Sequence, residues 1–406
     1  MVEGEHHVDA RPHLVTGATG FLGAALVLQL LERTDAEVYC LVRAADQASA
    51  TGRLDRELAS AAQAYGRVAP DSRRRVIAVP GDLRTPVDAP LPPGAAFWHC
   101  AASLRFDEAG REEIFRTNVE GTRHALRWAE QVGVAEFNHV STAYVRGVEV
   151  DEPGRGADSP WTGAARPARS FHNAYEHSKA AAEALVVRAD LPVWRILRPS
   201  IVIGDSVRFA TRSDAGLYGA IGVVARVLRA WARRAPDLAG GAAYRPTLVA
   251  DPAAALDLVP VDAVVADMVA LGAARAAHGV YHLTNPAGPS VGEVAHAIFA
   301  AAGLADPAFT DAAGARRLGD VDRRLHDRLD FYLPYLLGTG PFDRASTDAA
   351  LPAGGRTGAG LGAPGVTPYV RSYVRSYVRS YVRSGLGSDP RAPREDGPAR
   401  RFAAAR

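Results

Sequence analysis

The feature that most constrains this chain is the run TGATGFLG, Thr16 to Gly23, between a short apolar stretch and a segment with helical spacing at Leu22, Ala25, Leu26 and Leu30. Gly17, Gly20 and Gly23 let the backbone turn sharply and leave no Cβ where the turn must approach a neighbour. The apolar stretch, His13 to Thr16, reads as a buried strand, so the run is a strand–turn–helix junction. Further strand-like runs follow at Glu37 to Val42, Arg75 to Val79, Ala96 to Cys100, Glu136 to Val140 and Val193 to Leu197, with another at Val280 to Leu283. Helical stretches fall between them at Arg53 to Ala64, Ile114 to Val132 (closed by Gly133) and Ala174 to Arg188. Strands alternating with helices imply right-handed crossovers and a mainly parallel sheet.

A glycine-rich turn at the first strand of such a sheet lets a pyrophosphate meet backbone N–H groups at a helix N-terminus. The sequence therefore predicts an α/β fold: a Rossmann-type, doubly wound parallel sheet that binds a dinucleotide. Residues 1–204, completed by about 257–285, would form that domain. The rhythm breaks after Asp205, where Leu217, Ile221, Val224, Leu228 and Trp231 form one helical stripe. Residues 205–256 and 286–350 are expected to form a smaller, C-terminal substrate lobe over the carboxyl ends of the strands. From 351 to 406 the composition turns to glycine, proline, arginine and alanine, with Tyr-Val-Arg-Ser repeated four times from Tyr369 to Ser384. That stretch reads as a disordered tail. A helix with an arginine stripe is the other reading, opposed by like charges four residues apart.

The second strand ends at Arg43, where a carboxylate would bind a ribose 2′-hydroxyl and select NAD; the nearest acid is Asp46. A guanidinium suits a 2′-phosphate, which predicts NADPH. Asp82, after the third strand, is placed to meet the adenine amino group. The small residues following His99 would let the cofactor pass. Tyr175 and Lys179 are i and i+4, on one face of a helix. Carbonyl reduction needs a proton donor, and a free tyrosine, titrating at about 10, is poorly matched to neutral pH. An ammonium beside it predicts a lowered phenol pKa. Ser141 and Thr142 offer a hydroxyl at the end of the fifth strand.

These blocks resemble the extended short-chain dehydrogenase/reductase superfamily. The resemblance rests on TGATGFLG, on PGDL at Pro80 to Leu83, on NVEGT at Asn118 to Thr122 and on NAYEHSKAAAE at Asn173 to Glu183, with VPVD at Val259 to Asp262. HCAASLRF from His99 belongs to the same set; within the superfamily, CLVRA around Arg43, HVSTAYV from His139 and LRPSIVIGDS from Leu197, with the long excursion between Arg43 and Pro80, look most like the fatty acyl-CoA reductase and thioester-reductase branch. The resemblance implies that Thr142 orients the carbonyl oxygen, Tyr175 donates the proton and Lys179 tunes it. It also implies that Gly17, Thr19, Gly20, Phe21, Leu22, Gly23, Arg43, Asp82, Leu83, Ala101, Lys179 and Pro199 hold NADPH. Ser141 is the lesser candidate because Thr142 aligns with the family's hydroxyl. The implied reaction takes an acyl thioester to an aldehyde and a thiol, with a second reduction giving the alcohol. No adenylation or carrier domain is recognised, so the acyl group is expected in trans, on coenzyme A or an acyl-carrier protein.

A formal net charge of +2 on 406 residues leaves no nucleic-acid footprint. The N-terminus lacks the apolar core of a signal peptide, and no apolar run is long enough to span a membrane, so a cytoplasmic location is expected. Cys40 and Cys100 read as buried small residues. His99, His139 and His177 lack metal-ligand spacing and read as packing or surface residues, so no metal is expected. The stretch Leu329 to Asp343 is apolar enough to line an acyl pocket or simply to pack. Arg226, Arg229, Arg233 and Arg234 read as a solvated basic face, with a carrier's phosphate as the sharper alternative. A nucleotide-sugar epimerase or dehydratase on the same fold is the rival enzyme, against which Arg43 argues. A non-catalytic NADPH sensor is the rival of another class.

Overall fold

The computed structural model describes residues 11–67, 75–146, 171–234, 245–311, 313–329, 332–338, 340–352 and 355–383. Seven parallel strands form the central sheet: β1 (His13–Thr16), β2 (Val38–Val42), β3 (Val76–Pro80), β4 (Ala96–His99), β5 (Glu136–Val140), β6 (Trp194–Pro199) and β10 (Gly279–Leu283). Their spatial order is β10-β6-β5-β4-β1-β2-β3. The chain winds outward from β1 through β2 and β3, then returns to β4 on the other side of β1 and winds the opposite way. The reversal leaves a crevice at the carboxyl ends of β1 and β4, the place where this architecture binds ligands.

Helices α1 (Phe21–Arg33), α2 (Gln47–Tyr65), α3 (111–132), α4 (Ala174–Arg188) and α6 (Val261–Ala273) cover the sheet. Asp46 caps α2, accepting from Ser49 N at 2.7 Å, which starts that helix six residues before the sequence pattern suggests. Helix α3 contains a π-helical stretch, Arg116–Glu120.

The smaller lobe is built on α5 (Leu217–Arg234), α7 (Val291–Ala301) and α8 (Asp320–Leu329). Two short parallel pairs that the sequence did not announce support it: β7 (Ile201–Ile203) with β9 (Leu258–Pro260), and β8 (Thr247–Val249) with β11 (Ala308–Thr310). The predicted stripe on α5 is buried at Leu217, Ile221 and Val224. The side chains of Leu228, Arg229, Trp231, Arg233 and Arg234 lie outside the described residues, while Arg226 is half-buried.

The disordered-tail reading needs its boundary moved. Thr367–Arg383 forms helix α9, which packs on α7 and α5. Tyr369, Val370, Tyr373 and Val374 are buried in the lobe's core, while Arg371 and Arg375 face outward. Burying one such side chain is worth about 1.5–3 kcal/mol, against about 0.2–0.5 kcal/mol for a like-charged pair four residues apart. Packing therefore outweighs the repulsion that the sequence reading weighs in isolation. Residues from 384 onward lie outside the described residues. Among the described residues, no helix is long and apolar enough to cross a membrane.

Candidate active site

The glycine turn closes directly on the neighbouring strand. Gly17 has φ +72°, and a Cβ there would lie 2.7 Å from Ala101 N. A Cβ on Gly23 would lie 2.1 Å from Gly17 O, so α1 begins pressed against the turn. Gly20 is the α1 N-cap and supplies no side-chain cap, leaving the helix N-terminus to the crevice. A backbone cradle with no Cβ at Gly17, Gly20 and Gly23, at the positive end of a helix dipole, fits a pyrophosphate.

Beneath the turn runs a buried hydrogen-bond chain. Ala101 N donates to Thr16 Oγ1 (3.3 Å), which meets His99 Nδ1 (2.8 Å). His99 Nε2 lies 3.0 Å from Thr122 Oγ1, and that hydroxyl donates to Asn118 O (2.6 Å). Thr122 uses its proton on Asn118, so His99 must donate from Nε2 and accept at Nδ1. Burial, aided by the Lys179 charge, pushes the His99 pKa down to about 3 and keeps it neutral. Burial likewise holds His139 well below its ordinary value, whereas His177 stacks half-buried on Phe171. Both His99 and His139 are thus packing residues, with His99 also wiring the crevice floor.

One cavity of about 520 Å³ gathers the predicted residues. Gly17, Thr19, Gly20, Phe21, Leu22 and Gly23 line one end with Arg43, Asp82, Leu83 and Ala101. Thr142, Tyr175, Lys179 and Pro199 line its middle, together with Ser141. At the Arg43 end, the chain adds two arginines that sequence reasoning misses, Arg53 and Arg84. Arg53 donates to the Arg43 carbonyl at 2.9 Å, and Arg84 Nε lies 2.8 Å from Asp82 Oδ2. Burial works against ionisation of Asp82, but its bonds to Arg84 hold the carboxyl below the usual range. Asp46, being the α2 cap, is already committed to backbone.

Lys179 Nζ is buried and donates to Val140 O at 2.6 Å; burial pulls its pKa down to about 8. The phenol of Tyr175 departs from expectation. Burial, with the adjacent Glu176 charge, raises its pKa where the lysine beside it predicts a lowering. The ring packs edge-on against Phe106 (5.2 Å), which dries it, and the Lys179 ammonium is engaged by the Val140 carbonyl. Thr142 Oγ1 accepts from Tyr144 N at 3.2 Å, while Ser141 Oγ is buried without a hydrogen bond. Cys100, read as buried, is half-buried and lines the cavity; burial pushes its thiol up to about 12.

Asn118 lies within one of the resembling sequence blocks but carries no role there. Its side chain accepts from Ser103 N (2.7 Å) and donates to Ser103 O (3.2 Å) and Ser178 Oγ (2.8 Å). It thereby ties the loop after β4 to α4. Its position inside the π-helical stretch leaves no periodic signal to read.

Beyond Tyr175 the cavity becomes apolar, walled by Leu217, Val224, Leu248, Ile298, Phe299 and Leu336 from the smaller lobe. From the stretch singled out as an acyl-pocket candidate, Leu329, Tyr332, Tyr335 and Leu336 reach this wall, whereas Phe342 packs on Tyr144. Phe331 lies outside the described residues.

A doubly wound parallel sheet with a glycine cradle at its switch point and a Tyr/Lys pair lining the same cavity place the chain among the extended short-chain dehydrogenases/reductases. More narrowly, the chain belongs to the family described as "Male sterility protein", whose NAD-binding model matches residues 15–88 and 94–268. It falls in the thioester-reductase branch. It is 30% identical over 291 residues to a linear gramicidin synthase from Brevibacillus parabrevis, covering 67% of this chain and 5% of that protein. It is 29% identical over 309 residues to human fatty acyl-CoA reductase 2, covering 67% of this chain and 57% of the relative. The chain thus matches only part of the length of either. The solved terminal R domain from the myxalamid PKS-NRPS pathway superposes with a TM-score of 0.63 at 26% identity, covering 92% of each chain.

Proposed function

We propose that the protein reduces an acyl thioester, using NADPH, and that the acyl group arrives in trans on coenzyme A or a carrier protein. The observation that carries this reading is the continuity of the cavity: the glycine cradle, Tyr175 and Lys179, and a long apolar pocket share one space. When bound, NADPH supplies the hydride. Arg43, with Arg53 and Arg84 beside it, would hold its 2′-phosphate, and Asp82 would face the adenine. Thr142 orients the substrate carbonyl. Tyr175, kept protonated by burial, gives its proton to that oxygen. Lys179 stays charged at neutral pH and stabilises the phenolate left behind. Loss of the thiol leaves an aldehyde, and the same site, loaded with a second NADPH to supply the hydride, would take that aldehyde to an alcohol. Phe106 and the smaller lobe keep water away. Likeness to a fatty acyl-CoA reductase supports coenzyme A as the thiol, and likeness to a terminal R domain supports a carrier.

The test is oxidation of NADPH by purified protein against acyl-CoAs of increasing length, carrier-bound acyl groups, aldehydes and nucleotide sugars, with NADH in parallel. Thioester turnover with NADPH preferred over NADH is expected, and Arg43→Ala should erode that preference about ten-fold or more, a charge-assisted contact being worth roughly 1.5–3 kcal/mol. Turnover on aldehydes alone would remove the thioester step. Silence with both, together with NAD retained by the protein, would favour the epimerase.

A further inference from the structure

Immediately after Tyr175, Glu176 is fully buried and lines the cavity. A buried carboxylate is costly unless its oxygens are partnered. Here each is partnered, and one partner comes from far along the chain. Tyr335 Oη, on the short helix Leu333–Leu336 of the smaller lobe, donates to Glu176 Oε1 at 2.5 Å. His172 N donates to Oε2 at 3.0 Å, and His172 Nδ1 lies 3.0 Å from the same oxygen. Asn173 joins both partners. Its Oδ1 caps α4 by accepting from Glu176 N (2.9 Å), and its Nδ2 donates to Tyr335 Oη (3.0 Å). The Tyr335 ring meets Tyr144 edge-on at 5.0 Å, and Tyr144 N donates to Thr142 Oγ1. Tyr335 therefore touches the first turn of α4, the loop bearing Thr142 and the cavity wall at once.

We propose that Glu176 and Tyr335 are positioning residues whose hydrogen bond is the joint through which the smaller lobe holds the Tyr175 phenol and Thr142 in place for proton transfer. The proposal rests on the reading of Tyr175 as the proton donor. An acyl chain lying against Tyr335 and Leu336 would press on the same element that anchors the donor's helix turn, so occupancy of the pocket and alignment of the acid are mechanically linked. The joint spans 159 residues of sequence.

The test compares Glu176→Gln, Tyr335→Phe and the double variant, with thermal melts confirming the fold. Tyr335→Phe keeps the ring that packs on Tyr144 and removes the hydroxyl that donates to Glu176 and accepts from Asn173, so it carries the test alone should Glu176→Gln fail to fold. Each single variant should lower kcat about ten- to hundred-fold, the scale of a charge-assisted hydrogen bond, with NADPH affinity unchanged. The double variant should be no worse than Tyr335→Phe alone, because Glu176→Gln takes the charge, and Tyr335→Phe the donor, from the same hydrogen bond. Amide exchange across residues 172–180 should rise in Tyr335→Phe with no substrate present. Unchanged kcat, additive losses or unchanged exchange would overturn the joint. A wild-type protein inactive on every thioester and aldehyde would sink the functional reading instead, and the exchange measurement would still decide the joint.

Discussion

The two ends of the cavity are made in different ways. The proposed cofactor end is built chiefly on backbone: a turn with no Cβ at Gly17, Gly20 and Gly23, the start of α1 and the close of β4, mostly from one run of eight residues, to which Arg43 and its neighbours add side chains. The pocket end is side chain, assembled from α5, β8, α7, α8 and the turn at Tyr335, which are scattered over more than a hundred residues. A ligand fragment common to many enzymes can be held by geometry that one local motif encodes. A fragment that differs between enzymes needs a wall whose every position can be exchanged separately. Substitution should therefore act differently at the two ends and at their junction.

The junction should be the most sensitive. Tyr175→Phe removes the proposed proton donor while keeping the ring, and should lower kcat about a thousand-fold with NADPH binding intact. Residual turnover near wild type, followed by NADPH absorbance, would mean that another acid serves. Next in size, Gly23→Ala puts a Cβ 2.1 Å from Gly17 O and forces the cradle apart. NADPH affinity should fall about ten- to hundred-fold by fluorescence titration, and the melting temperature should drop with it. At the other end, Ile298→Trp fills the apolar pocket. It should raise KM for long acyl chains about ten-fold and leave short chains and NADPH affinity alone; an equal effect on all lengths would place the acyl group elsewhere.

The smallest effect is a pH limb. Burial pulls the Lys179 pKa down to about 8, and the proposed mechanism uses its ammonium, so kcat/KM should fall as pH rises through that value. Lys179→Arg, which stays charged, should abolish this limb even if it lowers the rate. The same shift makes stability rise between about pH 8 and 10.5, because there the unfolded chain binds the proton that the native lysine has already lost.

The parts of this molecule that sequence makes legible are those whose chemistry is local. Gly17 to Gly23, Tyr175 with Lys179, and Arg43 at a strand end stand out by spacing and line one cavity in the fold, and the seven-strand sheet follows from the alternation of strands and helices. Illegible are contacts closed by the fold. Glu176 gives no sign of Tyr335, the three-residue strands are too short to show a period, and Asn118 sits where the helical period slips. The Tyr175 phenol is read from sequence by the lysine on its helix face, whereas the burial that raises its pKa instead, with the Phe106 ring packed on it, is closed only by the fold.

Helix α9 has a consequence for how such a chain can change. A four-residue repeat advances about 40° per copy around a helix of 3.6 residues per turn. The Tyr-Val pairs of the first two copies are seated in the lobe. A copy added or lost at the far end would leave that seat untouched, so replication slippage in this stretch could alter the copy number with little effect on folding. A slip of one residue within the first two copies would instead rotate everything after it by about 100° and unseat the anchor. The repeat is thus tolerant of errors in count and intolerant of errors in phase.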